Sequence, residues 1–182
     1  MKTAFDPAHL DVAAFAQVGG QLAAHESLQK CERLMQETHG LGADLPMNWR
    51  ARGELRTASG VGAQPWLHLQ VDAVVPLTCQ RCLGRVDVPL TVDRAFRFAA
   101  DEDAAAAEDE SSEEDVLARS TDFDLRGLVE DELLLALPLV AMHPTCPVPV
   151  KLSARDAAFD EAQAADPGPF AQLQRLKGDK PN

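Results

Sequence analysis

The chain has 182 residues, of which 46% are hydrophobic and 25% are charged, a balance that suits one domain with a tail and excludes wholesale disorder. It contains no run of about 18 apolar residues, which excludes a membrane-spanning helix, and we expect no membrane partner. The N-terminus lacks the apolar stretch of a secretory signal, so we expect a cytoplasmic protein whose four cysteines are thiols or metal ligands.

The formal net charge of −12 is concentrated in one segment. Nine acids and no base lie between Asp101 and Asp115, so the rest of the chain carries only −3. Like charges interspersed with alanine and serine do not favour burial, and the pattern predicts a disordered, flexible acidic loop over residues 100–118. Such a loop is either a solubilising insertion or an arm that mimics nucleic acid or binds a basic protein.

The first 40 residues predict two helices and a short strand. Asp6 and Pro7 are typical of a helix start, and this helix should run to about Ala16. A strand is expected over residues 21–25. Ser27 then caps a second helix from Leu28 to about His39, which places Cys31 on an apolar face as a core residue.

Alternation with period two predicts a half-buried strand from Met47 to Arg56. Its outward face carries Arg50, Arg52 and Arg56, about 6.5 to 7 Å apart per same-face step and twice that where Glu54 intervenes. Rows of arginine contact phosphates in nucleic-acid-binding proteins, although most exposed arginines are only solvated. These three side chains are therefore candidate nucleic-acid contacts.

Residues 65–98 predict two long strands that form an antiparallel hairpin. Apolar side chains from Leu67 to Cys79 and from Val86 to Phe98 alternate with polar ones, so each strand should bury one face against helices. Pro76 and Pro89 fall within these strands and indicate sheet edges or bulges.

A strong helix is expected after Asp122 or Asp124, and Pro138 should end it. Its three consecutive acids, Glu130 to Glu132, have no nucleophile or phosphate loop nearby in the sequence, which favours structural capping over catalysis. The fold class is therefore α+β: a curled antiparallel sheet of at least three long strands, packed by helices. We expect one domain over residues 1–150 and a tail over 151–182 with an amphipathic docking segment at 169–176.

Two cysteine or histidine pairs have the spacing of metal ligands. Cys79 and Cys82 lie in the hairpin turn, and two thiolates separated by two residues can bind one tetrahedral zinc ion. His143 and Cys146 form a second pair with the same spacing, and only the fold could bring the two pairs together. A structural Cys₃His zinc site is the resulting hypothesis. The alternatives are half-buried thiols or a redox-active pair, although redox cysteines usually begin a helix.

Several segments, in order, resemble the bacterial YceD family of large ribosomal RNA subunit accumulation proteins. They are Leu77-Thr-Cys79-Gln-Arg-Cys82-Leu, the acidic stretch, Asp124-Leu-Arg-Gly-Leu-Val-Glu130-Asp131-Glu132-Leu-Leu-Leu-Ala-Leu-Pro138, His143 with Cys146, and Pro169-Phe170-Ala-Gln-Leu. Some relatives carry a cysteine-rich cluster after the long helix, where this chain has only His143 and Cys146.

The resemblance implies a non-enzymatic, cytoplasmic factor for accumulation of 23S rRNA and biogenesis of the large ribosomal subunit. Its partner would be large-subunit rRNA or a ribosomal protein rather than a small-molecule substrate. The contacts would come from Arg50, Arg52 and Arg56, or from Arg81 and Arg85 beside the cysteine turn. The alternative is a zinc- or thiol-dependent enzyme centred on Cys79 and Cys82.

Overall fold

Five strands form one open sheet whose spatial order follows the chain. The strands are β1 (Gln21–Ser27), β2 (Pro46–Ala58), β3 (Val61–Thr78), β4 (Arg85–Ala99) and β5 (Asp115–Ala118). Strands β1 to β4 pair antiparallel, and β5 joins the edge of β4 in parallel. The described residues also form four α-helices: α1 (Val12–Gln17), α2 (Glu32–Glu37), α3 (Glu102–Asp109) and α4 (Leu125–Leu135). The predicted α+β class is confirmed, and the sheet is mixed at one edge.

This computed structural model describes residues 5–58 and 61–150. The chain divides into two units, Met1–Thr145 and Cys146–Asn182, and every helix and strand named above lies in the first. The expected domain boundary after residue 150 stays a prediction, and the docking segment at 169–176 lies outside the described residues. Within the described part, no helix is long and apolar enough to cross a membrane.

The β3–β4 hairpin divides the sheet into a covered face and an open face. Its pairing runs from Trp66 opposite Arg97 to Thr78 opposite Arg85. The predicted apolar rows are confirmed, because alternate residues are buried in one core with α1, α2 and α4, including Phe15, Leu34, Leu69, Val71, Phe96, Leu125 and Leu133. The polar residues between them form the open face. Pro76 and Pro89 lie where β3 and β4 extend beyond their outer neighbours, as expected for edge positions.

The first two helices differ from the predicted ones at their starts. Helix α1 begins at Val12, because the Asp11 carboxylate accepts a hydrogen bond from the Ala14 N–H at 2.9 Å. The predicted second helix is split into a 3-10 turn, Leu28–Lys30, and α2. The break falls at Cys31, whose backbone is not helical (φ −100°, ψ 88°). Cys31 is a core residue as predicted, with its sulfur 3.9 Å from that of Met47.

The prediction of a disordered loop over residues 100–118 was wrong, because this acidic segment forms α3 and β5. The Asp101 carboxylate caps α3, and small side chains on the helix pack against Ala99 and Val116 of the sheet. Two sheet arginines neutralise part of the charge: Arg97 pairs with Glu108, and Arg94 pairs with Asp115. These partners lie on another strand, so the local composition could not reveal them.

Glu130 of α4 caps a different helix from its own. Its carboxylate accepts hydrogen bonds from the backbone N–H groups of Arg33 at 2.6 Å and Leu34 at 3.1 Å, at the start of α2. The Arg33 side chain also donates to it at 3.1 Å. A carboxylate at a helix N-terminus satisfies backbone donors and interacts favourably with the helix dipole. The expected capping role is therefore observed for one of the three acids, Glu130, and the helix that it caps is α2 rather than α4.

Replacing Glu130 by alanine should destabilise the fold by about 2–3 kcal/mol, because it leaves two helix N–H groups without their charged acceptor. The matched control is Asp131→Ala, which removes an exposed ion pair with the same arginine and should cost less than about 1 kcal/mol. Urea unfolding measures both values. Equal losses for the two variants would contradict the capping role.

Glu132 should weaken the fold when it is ionised. Burial raises the pKa of this carboxyl, and the nearby Arg94 guanidinium offsets only part of that effect. When the pKa of a carboxyl is higher in the folded state than in the unfolded state, the protein becomes less stable as pH rises through that range. We therefore expect Glu132→Gln to raise the unfolding midpoint at about pH 7 and to change it little once the carboxyl is protonated, near pH 3. Glu110→Gln, at an exposed site, controls for the change in net charge.

Candidate metal centre and nucleic-acid face

The turn between β3 and β4 holds the Cys79–Cys82 pair in a compact loop. The Cys79 N–H donates to the Gly84 carbonyl at 2.8 Å, and the Leu83 N–H donates to the Cys79 carbonyl at 2.9 Å. The bend requires one left-handed residue, and this is Leu83 (φ 59°) rather than the following Gly84. A leucine in this region costs about 1–2 kcal/mol, so other interactions must hold the turn.

The segment after α4 returns to this turn. The Gln80 N–H donates to the Ala141 carbonyl at 2.8 Å, which sets the two chain segments side by side. His143 follows, with its Nδ1 atom 3.4 Å from the Cys82 sulfur and its Nε2 atom 2.9 Å from the Arg85 carbonyl. A hydrogen bond from Nε2–H to this carbonyl leaves the Nδ1 lone pair directed at the cysteines.

The two buried cysteines have opposite acid–base character. Burial raises the pKa of Cys31 to about 11. Burial also opposes ionisation of Cys79, but backbone hydrogen bonds from Cys82, His143 and Arg81 outweigh it and lower the Cys79 pKa to about 5. Since metal ligands are thiolates, the turn favours the form of Cys79 that binds a cation.

The two predicted pairs of metal ligands lie next to each other. The ligand atoms of Cys79, Cys82, His143 and Cys146 lie within 4.8 Å of one another, and this group could hold a metal ion. A thiolate sulfur and an imidazole nitrogen on one tetrahedral zinc are about 3.6 Å apart, which is close to the observed 3.4 Å between Cys82 and His143. Three sulfur atoms and one nitrogen form a donor set typical of structural zinc.

The candidate nucleic-acid contacts divide into paired and unpaired arginines. Arg52 and Arg56 both form ion pairs with Glu54 on the same strand, and Arg85 pairs with Asp87 at 2.7 Å. Within the described part of the chain, neither Arg50 nor Arg81 forms an ion pair, and the Arg81 guanidinium contacts the Met142 sulfur at 3.9 Å. A phosphate would have to compete with a carboxylate at each of the three ion-paired arginines. Arg50 and Arg81 are therefore the more available cations.

Arg50 lies in the middle of the open face, where it lines two adjacent hollows of about 380 Å³ and 410 Å³. Ala23 of β1 pairs with Arg50 and lines both hollows too. Gln70 of β3 pairs with Arg50 from the other side and donates to Asp93 at 2.8 Å. The pKa of Asp93 is lowered by this bond and by the His68 imidazole 2.6 Å away.

Sequence reasoning missed the residues around Arg50. Ala23 belongs to β1, whereas His68 and Gln70 belong to β3, and their side chains have no motif in common. A period-two reading of β2 and β3 does place Arg50 and Gln70 on outward faces, but only the strand register sets them side by side. The stacking of Arg56 on Trp66, with the guanidinium carbon 4.1 Å from the ring centre, was also not foreseen.

Comparison with known proteins identifies the family of this chain. The profile of the family described as "Large ribosomal RNA subunit accumulation protein YceD" matches residues 67–177, which include the hairpin, the acidic segment, α4 and all four potential metal ligands. A protein of that name from Haemophilus influenzae is 39% identical over 114 residues, which cover 60% of this chain and 62% of that protein. No solved structure matches the chain. The profile covers well over half of the sequence, and the chain belongs to the YceD family.

Proposed function

We propose that this protein supports accumulation of large-subunit ribosomal RNA in the bacterial cytoplasm by binding that RNA through the open sheet face. The observation that carries the proposal is Arg50, an arginine without an ion pair among the described residues, beside two hollows whose lining includes Gln70 and Asn48. Family membership supports the biological process. The contact surface is argued from charge and shape, since β2 precedes the part of the chain that the family profile matches.

The neighbouring arginines would assist Arg50. Arg52 and Arg56 share Glu54, so one carboxylate serves two guanidinium groups and part of their positive charge stays available. Arg81 and Arg85, at the far end of the hairpin, would form a second contact. Arg85 pairs with Thr78, eight residues beyond Gln70 along β3, so at about 3.3 Å per residue the two contacts would lie roughly 26 Å apart along the strand.

We further propose that Cys79, Cys82, His143 and Cys146 bind one structural zinc ion. The ion would join the tip of the hairpin to the segment after α4, where backbone hydrogen bonding already sets them side by side. It would also stabilise a turn that contains a left-handed leucine. The thiol-dependent enzyme is the weaker alternative, because the Cys79 side chain is fully buried and could not reach a substrate.

The RNA proposal predicts a defect in cells. In a bacterial strain that lacks the gene, Arg50→Glu should fail to restore the ratio of large- to small-subunit rRNA, because a carboxylate repels phosphate where the arginine would attract it. The matched control is Arg126→Glu, since Arg126 is an exposed helix arginine paired with Glu26, away from the open face. Quantitative northern blots measure the ratio. Full rescue by Arg50→Glu would contradict RNA binding through the open face.

The zinc proposal predicts one zinc ion per folded chain that survives dialysis, as measured by native mass spectrometry. Cys82→Ser should lose the ion, because serine oxygen is a poor zinc ligand, and the unfolding midpoint should fall. Cys31→Ala is the control: it removes a core cysteine that faces Met47 and should retain the metal. Zinc in the Cys82→Ser protein, or its absence from wild type purified without chelator, would contradict the site.

A further inference from the structure

We propose that the two hollows beside Arg50 take two neighbouring nucleotides of single-stranded RNA, with the Arg50 guanidinium at the phosphate between them. This inference rests on the proposed RNA-binding function and adds the class of RNA. It assigns the bases to the hollows and so makes the site selective for unpaired strands.

The hollows follow from the strand register. Three cross-strand rows stand on this part of the open face, and the middle row separates the hollows. The rows are Gln21–Arg52–His68, Ala23–Arg50–Gln70 and His25–Asn48–Asp72. Ala23 is the smallest side chain among these nine, so the surface is recessed on the β1 side of Arg50.

The two hollows carry groups that suit base edges. Gln70 and His68 line the first hollow, and His25, Asn48 and Asp72 line the second. Amide, imidazole and carboxylate groups together offer both donors and acceptors, as the Watson–Crick edge of an unpaired base requires. These side chains are already oriented by hydrogen bonds within the sheet, such as His25 to Asn48 at 2.6 Å.

The spacing of the hollows fits an unstacked strand. Neighbouring rows on one face of a sheet are about 7 Å apart, which is about twice the 3.4 Å step between stacked bases of one strand. Two bases in adjacent hollows would therefore be separated from each other. A duplex keeps its bases stacked and presents its backbone, so it could not fill either hollow.

The net charge of the chain also favours single-stranded RNA over a duplex. Duplex binding depends on many cations that neutralise phosphates, whereas this chain carries a net charge of −12. On this face Arg52 and Arg56 are already paired with Glu54. Two further acids of the same face are Asp72 on β3 and Asp93 on β4. One available arginine suits a short single-stranded contact whose affinity comes largely from the bases.

The test is fluorescence anisotropy of the full-length chain with three labelled RNAs. The first is an unpaired strand of 12 nucleotides, the second is the same strand in a blunt duplex, and the third is a strand of equal length with abasic sites. We expect the unpaired strand to bind at least about tenfold more tightly than either of the others, because only it can place bases in the hollows.

Two variants separate the base contacts from the phosphate contact. Ala23→Leu adds bulk at the recess without changing charge, and should weaken binding of the unpaired strand about tenfold while leaving the salt dependence unchanged. Arg50→Ala should reduce the slope of log affinity against log salt by about one. Both sites are on the exposed sheet surface, so circular dichroism should be unchanged.

The outcomes distinguish this inference from the function on which it rests. Equal binding of the unpaired, duplex and abasic RNAs would overturn the hollows as base sites while leaving RNA binding intact. Binding to none of the RNAs, with capture of a ribosomal protein that Arg50→Glu abolishes, would overturn both and assign the face to a protein partner.

Discussion

The register between β3 and β4 is the constraint on which the rest of the structure depends. In a strand, successive side chains point to opposite faces, so this one register decides what is buried and what is presented to solvent. It directs Leu69, Val71 and Phe96 into the core and sets His68, Gln70 and Asp93 on the open face. The same pairing brings its closing turn, with Cys79 and Cys82, to the end of a long hairpin. A slip by one residue would reverse both faces.

Two long-range contacts complete the first unit around this hairpin. Glu130 reaches from α4 to the start of α2, and Gln80 in the cysteine turn bonds Ala141 in the segment after α4. Both contacts satisfy backbone groups at places where a regular element begins or ends, and such groups are costly to leave unpaired. The three consecutive acids of α4 consequently have different roles: Glu130 caps α2, Asp131 forms a surface ion pair, and Glu132 is buried beside Arg94.

Ion pairing determines which cations of this acidic protein are available to a partner. Most arginines of the described residues contact a carboxylate, and two of these contacts hold the acidic segment against the sheet. The acidic segment therefore neutralises Arg94 and Arg97 while leaving Arg50 exposed on another strand. This is why a chain of net charge −12 still has an exposed arginine that is not ion-paired among the described residues, and why counting arginines in the sequence overstates the basic surface.

The sequence by itself determined the elements with strong periodicity and the chemistry of the cysteine turn. The alternation in β2, β3 and β4 and the cap at Asp124 are local signals, because each depends on residues near one another in the chain. The CxxC pair and the second pair at His143 and Cys146 were likewise readable from spacing. The order in the acidic segment was not, because Arg94 and Arg97 stabilise it from a neighbouring strand.

Only the tertiary structure decided which candidate site residues lie close together. It brought His143 to Cys82 across 61 residues, separated Arg50 from its ion-paired neighbours, and placed Ala23, Arg50 and Gln70 in one row. The reason is physical: spacing along the chain limits what one turn or strand can contact, whereas strand register and the return of a distant segment set which groups meet.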